Sequence, residues 1–172
     1  MFSKLLRSEV FEVSVFNRRW LTSFILSFKD LVKKNNLEKE FLIESRGTIA
    51  EVGSDIHSGT KGELDKHNIP YGRHISTQLE KGDYDKYDYF IGMDNYNIMS
   101  MKKIFGTDKK VYKLLDFTKN KEEIDDPWYT HNFSLTYDDI SKGCEYFLEF
   151  LCKNKWIVHL FFANTVKKSK NI

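Results

Sequence analysis

Apolar residues recur along this chain with two periods, and the periods alternate. Leu21, Phe24, Ile25, Phe28, Leu31 and Val32 fall three and four positions apart, predicting a helix over Leu21–Asn35 that ends in Lys33-Lys34 and an asparagine pair suited to a C-cap. Tyr137, Ile140, Cys144, Phe147, Leu148 and Leu151 repeat the spacing and predict a second helix over Tyr137–Phe150. The opposite period appears in Phe11-Glu12-Val13-Ser14-Val15, where apolar and polar side chains alternate as in a half-buried strand. Short apolar runs at Phe41–Ser45, closed by Gly47, at Tyr87–Met93 and at Val111–Leu115 predict three further strands. Ser58–His67 and Asn95–Ile104 are helix candidates, and Pro70 cannot continue the first of them. Strands alternating with helices of this length imply an α/β fold, a parallel sheet covered on both faces. The stretch from Phe117 to His131 has no clear period, and long loops at the carboxyl ends of such strands are where ligands are met.

A chain of 172 residues is one domain with room for a real core. Its 27 Lys+Arg nearly cancel its 25 Asp+Glu, so the net charge of +2 gives no field for steering nucleic acid or an anionic membrane, and neither is expected as a partner. The basic end at Lys167, Lys168 and Lys170 reads as a solvated tail. Cys144 and Cys152 are the only cysteines, too few and wrongly spaced for a disulfide framework or a zinc site. Met1–Arg7 lacks the apolar run of a signal peptide, and no stretch reaches the ~20 apolar residues of a membrane span, so a reduced, cytoplasmic protein is expected.

Asp125-Asp126-Pro127-Trp128-Tyr129 is the most informative short stretch. A carboxylate before a stiffening proline, followed by two large aromatics, suits a general acid beside a flat apolar wall; it equally suits an acidic turn with two aromatics tucked onto the core.

Its neighbours add weight to the first reading. In order, Ser45-Arg46-Gly47-Thr48, His74 with Gln78-Leu79, Met93-Asp94-Asn95-Tyr96-Asn97 and Asp126-Pro127-Trp128-Tyr129 together resemble the low-molecular-weight protein tyrosine phosphatases. The corresponding family elements read Ser-Ala-Gly-Thr, a histidine ahead of Ala-Arg-x-Leu, Met-Asp-x-x-Asn, and Asp-Pro before two aromatics. The resemblance runs from about Lys29 to Leu151. It implies a four-stranded parallel sheet with helices on both faces, and hydrolysis of phosphotyrosine through a cysteinyl-phosphate intermediate. By the same resemblance Asp126 would be the general acid, Trp128 and Tyr129 the aromatic wall along the substrate ring, and Ser45 and His74 residues that brace the phosphate loop. It calls for no cofactor and no metal, and for a phosphotyrosine protein or a small aryl phosphate as partner.

The departures concentrate at the start. Arg46 replaces a small alanine, and Ser76-Thr77 replaces Ala-Arg, without touching the chemistry. An active member of the family also needs a cysteine followed six positions later by arginine, so that a thiolate sits among backbone amides and a guanidinium grips the phosphoryl oxygens. That pair is missing: Cys144 is followed at this spacing by Phe150 and Cys152 by Val158. Counting back without gaps from Lys29-Asp30-Leu31-Val32 puts the cysteine position at Ser14 and the arginine position at Trp20, with Arg18 and Arg19 within a shifted register. A serine ionises far above pH 7 and has no identifiable base here.

Residues 1–152 are therefore read as a single phosphatase-like domain, with 1–28 atypical for the family, and residues 153–172 as a C-terminal extension, disordered or an added packing segment. The expected function is weak or absent phosphotyrosine hydrolysis on a phosphatase fold. The alternatives are a non-catalytic binding protein or a product of a shifted reading frame over residues 1 to about 28. An arsenate reductase relative would want redox cysteines near the acid loop, and none stands there.

Overall fold

The computed structural model describes residues 11–16 by their backbone, and 22–47, 56–72 and 77–154 in full. Over these, the alternating periods become parallel strands β1 (Phe11–Phe16), β2 (Phe41–Gly47), β3 (Thr77–Gln78), β4 (Tyr89–Gly92) and β5 (Val111–Lys113). They are joined and covered by helices α1 (Thr22–Lys34), α2 (Ser58–Lys66), α3 (Asn95–Phe105), α4 (Pro127–Thr130) and α5 (Phe133–Asn154). The sheet order is β3-β2-β1-β4-β5, so β1 lies in the middle, hydrogen-bonded to β2 on one side and β4 on the other. Succession runs outward from β1 through β2 to β3, then crosses back to β4 and β5. The crevice beside β1 at the strands' carboxyl ends is thus the switch point at which ligands of such sheets bind.

The parallel α/β architecture matches the expectation, with one addition. The sheet has five strands rather than four, because Thr77 and Gln78 pair with Arg46 and Gly47 at its edge. Both residues are exposed and the pairing is two residues long, so no apolar alternation marks it in the sequence.

The sheet separates two apolar layers, as alternation along a doubly covered strand requires. On one face Ile91 and Ile43 pack with Phe24, Ile25, Phe28 and Val32 of α1 and with Ile140, Cys144, Phe147, Leu148 and Leu151 of α5. On the other, Phe90 packs with Tyr87, Leu79, Val111, and Met101 and Phe105 of α3. The helix ends follow local chemistry. Asn36 adopts a left-handed backbone (φ 58°) after α1, and Gly106 (φ 77°) closes α3.

The fourth predicted strand stops early. After Lys113 the chain turns into a 3-10 segment, Leu114–Phe117, that buries Leu114 and Leu115 against the same core as α5. Among the described residues no helix is long and apolar enough to cross a membrane.

Candidate active site

The site elements gather where the strands end. Met93 follows β4, and its carbonyl accepts the Ile124 N–H at 3.1 Å, which ties the loop after β5 to the switch point. Ile124 itself is almost wholly buried. Next to it, both the backbone N–H and the side-chain amide of Asn95 bond the Glu123 carboxylate, and Lys113 Nζ lies 3.7 Å from the same group. Beyond it, Thr136 Oγ1 donates to the Asp125 carbonyl at 3.3 Å. Asp126 is therefore held from both sides by a loop with little freedom.

Asp126 caps α4. Its Oδ1 accepts the Trp128 N–H at 2.8 Å, and Pro127, in the first turn, contributes a fixed φ and lacks an N–H that would go unused there. Among the described residues no cation pairs with its carboxylate. The alternative of two aromatics tucked onto the core does not hold: Trp128 is 64% exposed and Tyr129 76%. Both rings project from a short turn that is closed by His131 in a left-handed conformation (φ 55°).

The Met-Asp-x-x-Asn element is a helix cap. Asp94 Oδ1 accepts the Asn97 N–H at 2.6 Å, and Asn97 Oδ1 accepts the Met93 N–H at 3.0 Å. The approach is so close that a Cβ on Gly92 would lie 2.8 Å from Asn97 Cβ. This element sets the path of the chain beside the Asp126 loop, and its carboxylate, Asp94, is taken up by the cap.

Ser45 lies on β2, buried, with its backbone paired to Val15 of β1. Its hydroxyl has no hydrogen-bond partner among the described residues, although hydroxyls at such depth are nearly always paired. His74 lies outside the described residues, as do residues 17–21 between β1 and α1.

Among the described residues, the arginine and the two thiols within reach of sequence reasoning are committed elsewhere; Arg18 and Arg19 lie outside them. Arg46 donates to Glu44 Oε2 at 2.7 Å and to the Tyr87 hydroxyl at 2.6 Å, and its guanidinium carbon lies 5.5 Å from the centre of the Tyr87 ring. Tyr87 also hydrogen-bonds Glu44, and burial together with that carboxylate raises its pKa. Cys144 and Cys152 are both buried on α5, where burial pushes the two thiols up, Cys144 well up. A thiol in that state is a packing residue and not a nucleophile. Ser14, where gap-free counting puts the nucleophile, is in the middle of β1, paired with Glu44 and Phe90 and two residues short of the strand's end at Phe16.

One contact was not foreseen in the sequence. The ring of His57 meets Trp128 edge-on with centroids 5.9 Å apart. Nothing in a histidine ahead of Ser-Gly-Thr announces a neighbour more than seventy positions away.

The sequence profile described as low molecular weight phosphotyrosine protein phosphatase matches residues 26–156. The chain belongs to that family. PtpA of Staphylococcus aureus, a low molecular weight protein-tyrosine-phosphatase, is 34% identical over 126 residues, covering 72% of this chain and 80% of the relative. The crystal structure of YfkJ from Bacillus subtilis superposes with a TM-score of 0.80 at 28% identity, over 87% of this chain and 99% of that one. That of SP-PTP, the low molecular weight protein tyrosine phosphatase of Streptococcus pyogenes, gives 0.70 at 30% identity over 87% and 97%. Phosphatase-family membership implies phosphoprotein substrates as a class.

Proposed function

We propose that this chain keeps the acid-and-wall half of a phosphotyrosine phosphatase site and lacks the nucleophile half, so that it hydrolyses phosphotyrosine proteins or small aryl phosphates weakly or not at all. The observation that carries this reading is the location of the thiols, both buried on α5 and held protonated by that burial. In the family reaction a cysteine thiolate attacks phosphorus as the bond to the aryl oxygen breaks, and the general acid gives the leaving oxygen its proton. Asp126 takes the acid role in this reading, with Trp128 and Tyr129 as the wall for the aryl ring and Ser45 and His74 as braces of the phosphate loop. General acid catalysis alone supplies roughly 10²–10⁴-fold, and Asp126 without an attacking group cannot open the covalent route. The Ser45 hydroxyl, without a partner among the described residues, supports the same reading, since the loop it would brace is the one whose sequence departs from the family. Free thiols at Cys144 and Cys152 fit a reducing cytoplasm, the location that belongs to this reading.

A second reading explains why the nucleophile half is missing: residues 1 to about 28 come from a shifted reading frame joined to a true family sequence. The profile match begins only at residue 26. Just upstream and around it, Thr22, Ser23 and Ser27 are buried polar residues on the core face of α1, and the Ser27 hydroxyl lacks a partner among the described residues. Translating the coding DNA in its other two frames decides it; if neither gives a cysteine-to-arginine loop near the start, the idea is lost.

The function is tested by hydrolysis of p-nitrophenyl phosphate by the purified chain beside Asp126→Ala and the double substitution Cys144→Ser, Cys152→Ser. Absence of turnover in all three, or a trace that ignores Asp126, agrees with the proposal. Substantial turnover that drops by two or more decades in Asp126→Ala overturns it and requires another nucleophile.

A further inference from the structure

His57 caps α2, with its backbone in the extended region and Nδ1 accepting the Gly59 N–H at 3.1 Å. Histidine is a poor choice for that task alone; Ser, Thr, Asp and Asn cap helices with a smaller side chain and a better-placed oxygen. Its ring is what sets it apart. The imidazole lies flat on Phe133, the first residue of α5, with centroids 5.1 Å apart and planes within 6°. Its other contact is the edge-on meeting with Trp128 of α4, at 5.9 Å and 79°. The fit beneath Phe133 is tight: a Cβ on Gly59 would sit 2.6 Å from the Phe133 Cζ. The start of α2 thus meets α4 and the first residue of α5, some seventy positions on, at one ring, fixed below by a backbone cap and laterally by Phe133.

Trp128 has little else to hold it. Its N–H is taken by Asp126, its side chain is 64% exposed, and among the described residues His57 is the ring it meets. An exposed tryptophan on a four-residue helix would sample several rotamers, and a flat wall exists only if one of them dominates.

We infer that His57 is a positioning residue: clamped between the α2 cap and Phe133, it holds the Trp128 ring in the orientation that presents a flat face to a planar aryl group. The inference rests on the reading of Trp128 as the substrate wall, and it makes the choice of aryl over alkyl phosphates depend on the residue that caps α2.

The full chain carrying Trp20→Phe and Trp156→Phe leaves Trp128 as the sole tryptophan, so its fluorescence anisotropy decay and acrylamide quenching report on that ring alone. His57→Asn keeps a capping acceptor and removes the stacked ring; His57→Phe keeps a ring and removes the acceptor. Aromatic pairs of this kind shift a docked-to-free ratio by about fivefold, and that loss is expected in His57→Asn and not in His57→Phe, with the melting midpoint as a control for each. Unchanged Trp128 mobility in a folded His57→Asn protein overturns the inference, as does equal loosening in both variants, which would place the effect in the cap. Phenyl phosphate separates the two layers. If His57→Asn frees Trp128 but saturating phenyl phosphate leaves the parent's Trp128 emission unchanged, the positioning stands and only the wall reading falls.

Discussion

Ser27 and Ser45 are both buried with hydroxyls that find no partner among the described residues, and both lie just inside the stretch where family likeness begins. A buried donor without an acceptor costs about 1–3 kcal/mol, so Ser27→Ala, which also improves helix propensity, is expected to raise stability by about 1 kcal/mol in urea unfolding. A loss of stability would mean that the hydroxyl has a partner in solution. Tyr87 behaves in the opposite way, because its hydroxyl lies between Arg46 and Glu44. Its pKa is raised in the folded state, so the native protein holds that proton more tightly than the unfolded chain. The stability this group contributes is therefore present in full and constant below pH ~10, the value of a free tyrosine, and is lost as pH climbs beyond it. Tyr87→Phe should flatten that alkaline loss, read from melts between neutral and strongly alkaline pH. Arg46 shows where residue-level reading ran out. Sequence comparison sees an arginine in place of alanine, and only the structure shows that its charge is already engaged by Glu44, with Tyr87, forty-one positions away, holding the pair.

Elements were legible to the extent that one face of each is buried. The spacing in α1 located the helix to within a residue at either end, since its core face is continuous from Phe24 to Val32. The start of α5 was missed by four residues because Ser134 and Leu135 are exposed there and the apolar period begins only at Thr136 and Tyr137. The short helix α4 has no buried stripe, only Pro127, so nothing periodic could reveal it; its signal was the Asp-Pro pair at its start. The Met-Asp-x-x-Asn element was legible as a family mark, while its physical task as the cap of α3 was not. That task carries a prediction: Asp94→Ala should cost about 1 kcal/mol of stability and Asp94→Asn much less, measured by thermal unfolding.

At the scale of the whole molecule, Asp126, the exposed pair Trp128 and Tyr129, and the cap of α3 cluster at one end of the sheet, while both thiols are locked in α5. Iodoacetamide at neutral pH should therefore leave the native chain unmodified over times that fully alkylate it in denaturant, as followed by mass spectrometry. Rapid native labelling of one cysteine would contradict both the burial and the proposed inactivity. The parallel sheet was legible from the alternation of periods, and the phosphatase architecture from four short elements in order. The sheet's middle was legible only as a pattern of side chains, with a sequence that shares nothing evident with the family.

That middle strand has a practical meaning for anyone who trims the protein. A version starting at residue 26, where family likeness begins, would look like a tidy domain boundary. It would in fact excise β1, to which β2 and β4 are both hydrogen-bonded. Those two strands would be left about 9.5 Å apart, twice the normal spacing, each with a row of amides and carbonyls facing a gap. Such a fragment would have to recruit a substitute strand, from its own tail or from another molecule, before it could become soluble and whole.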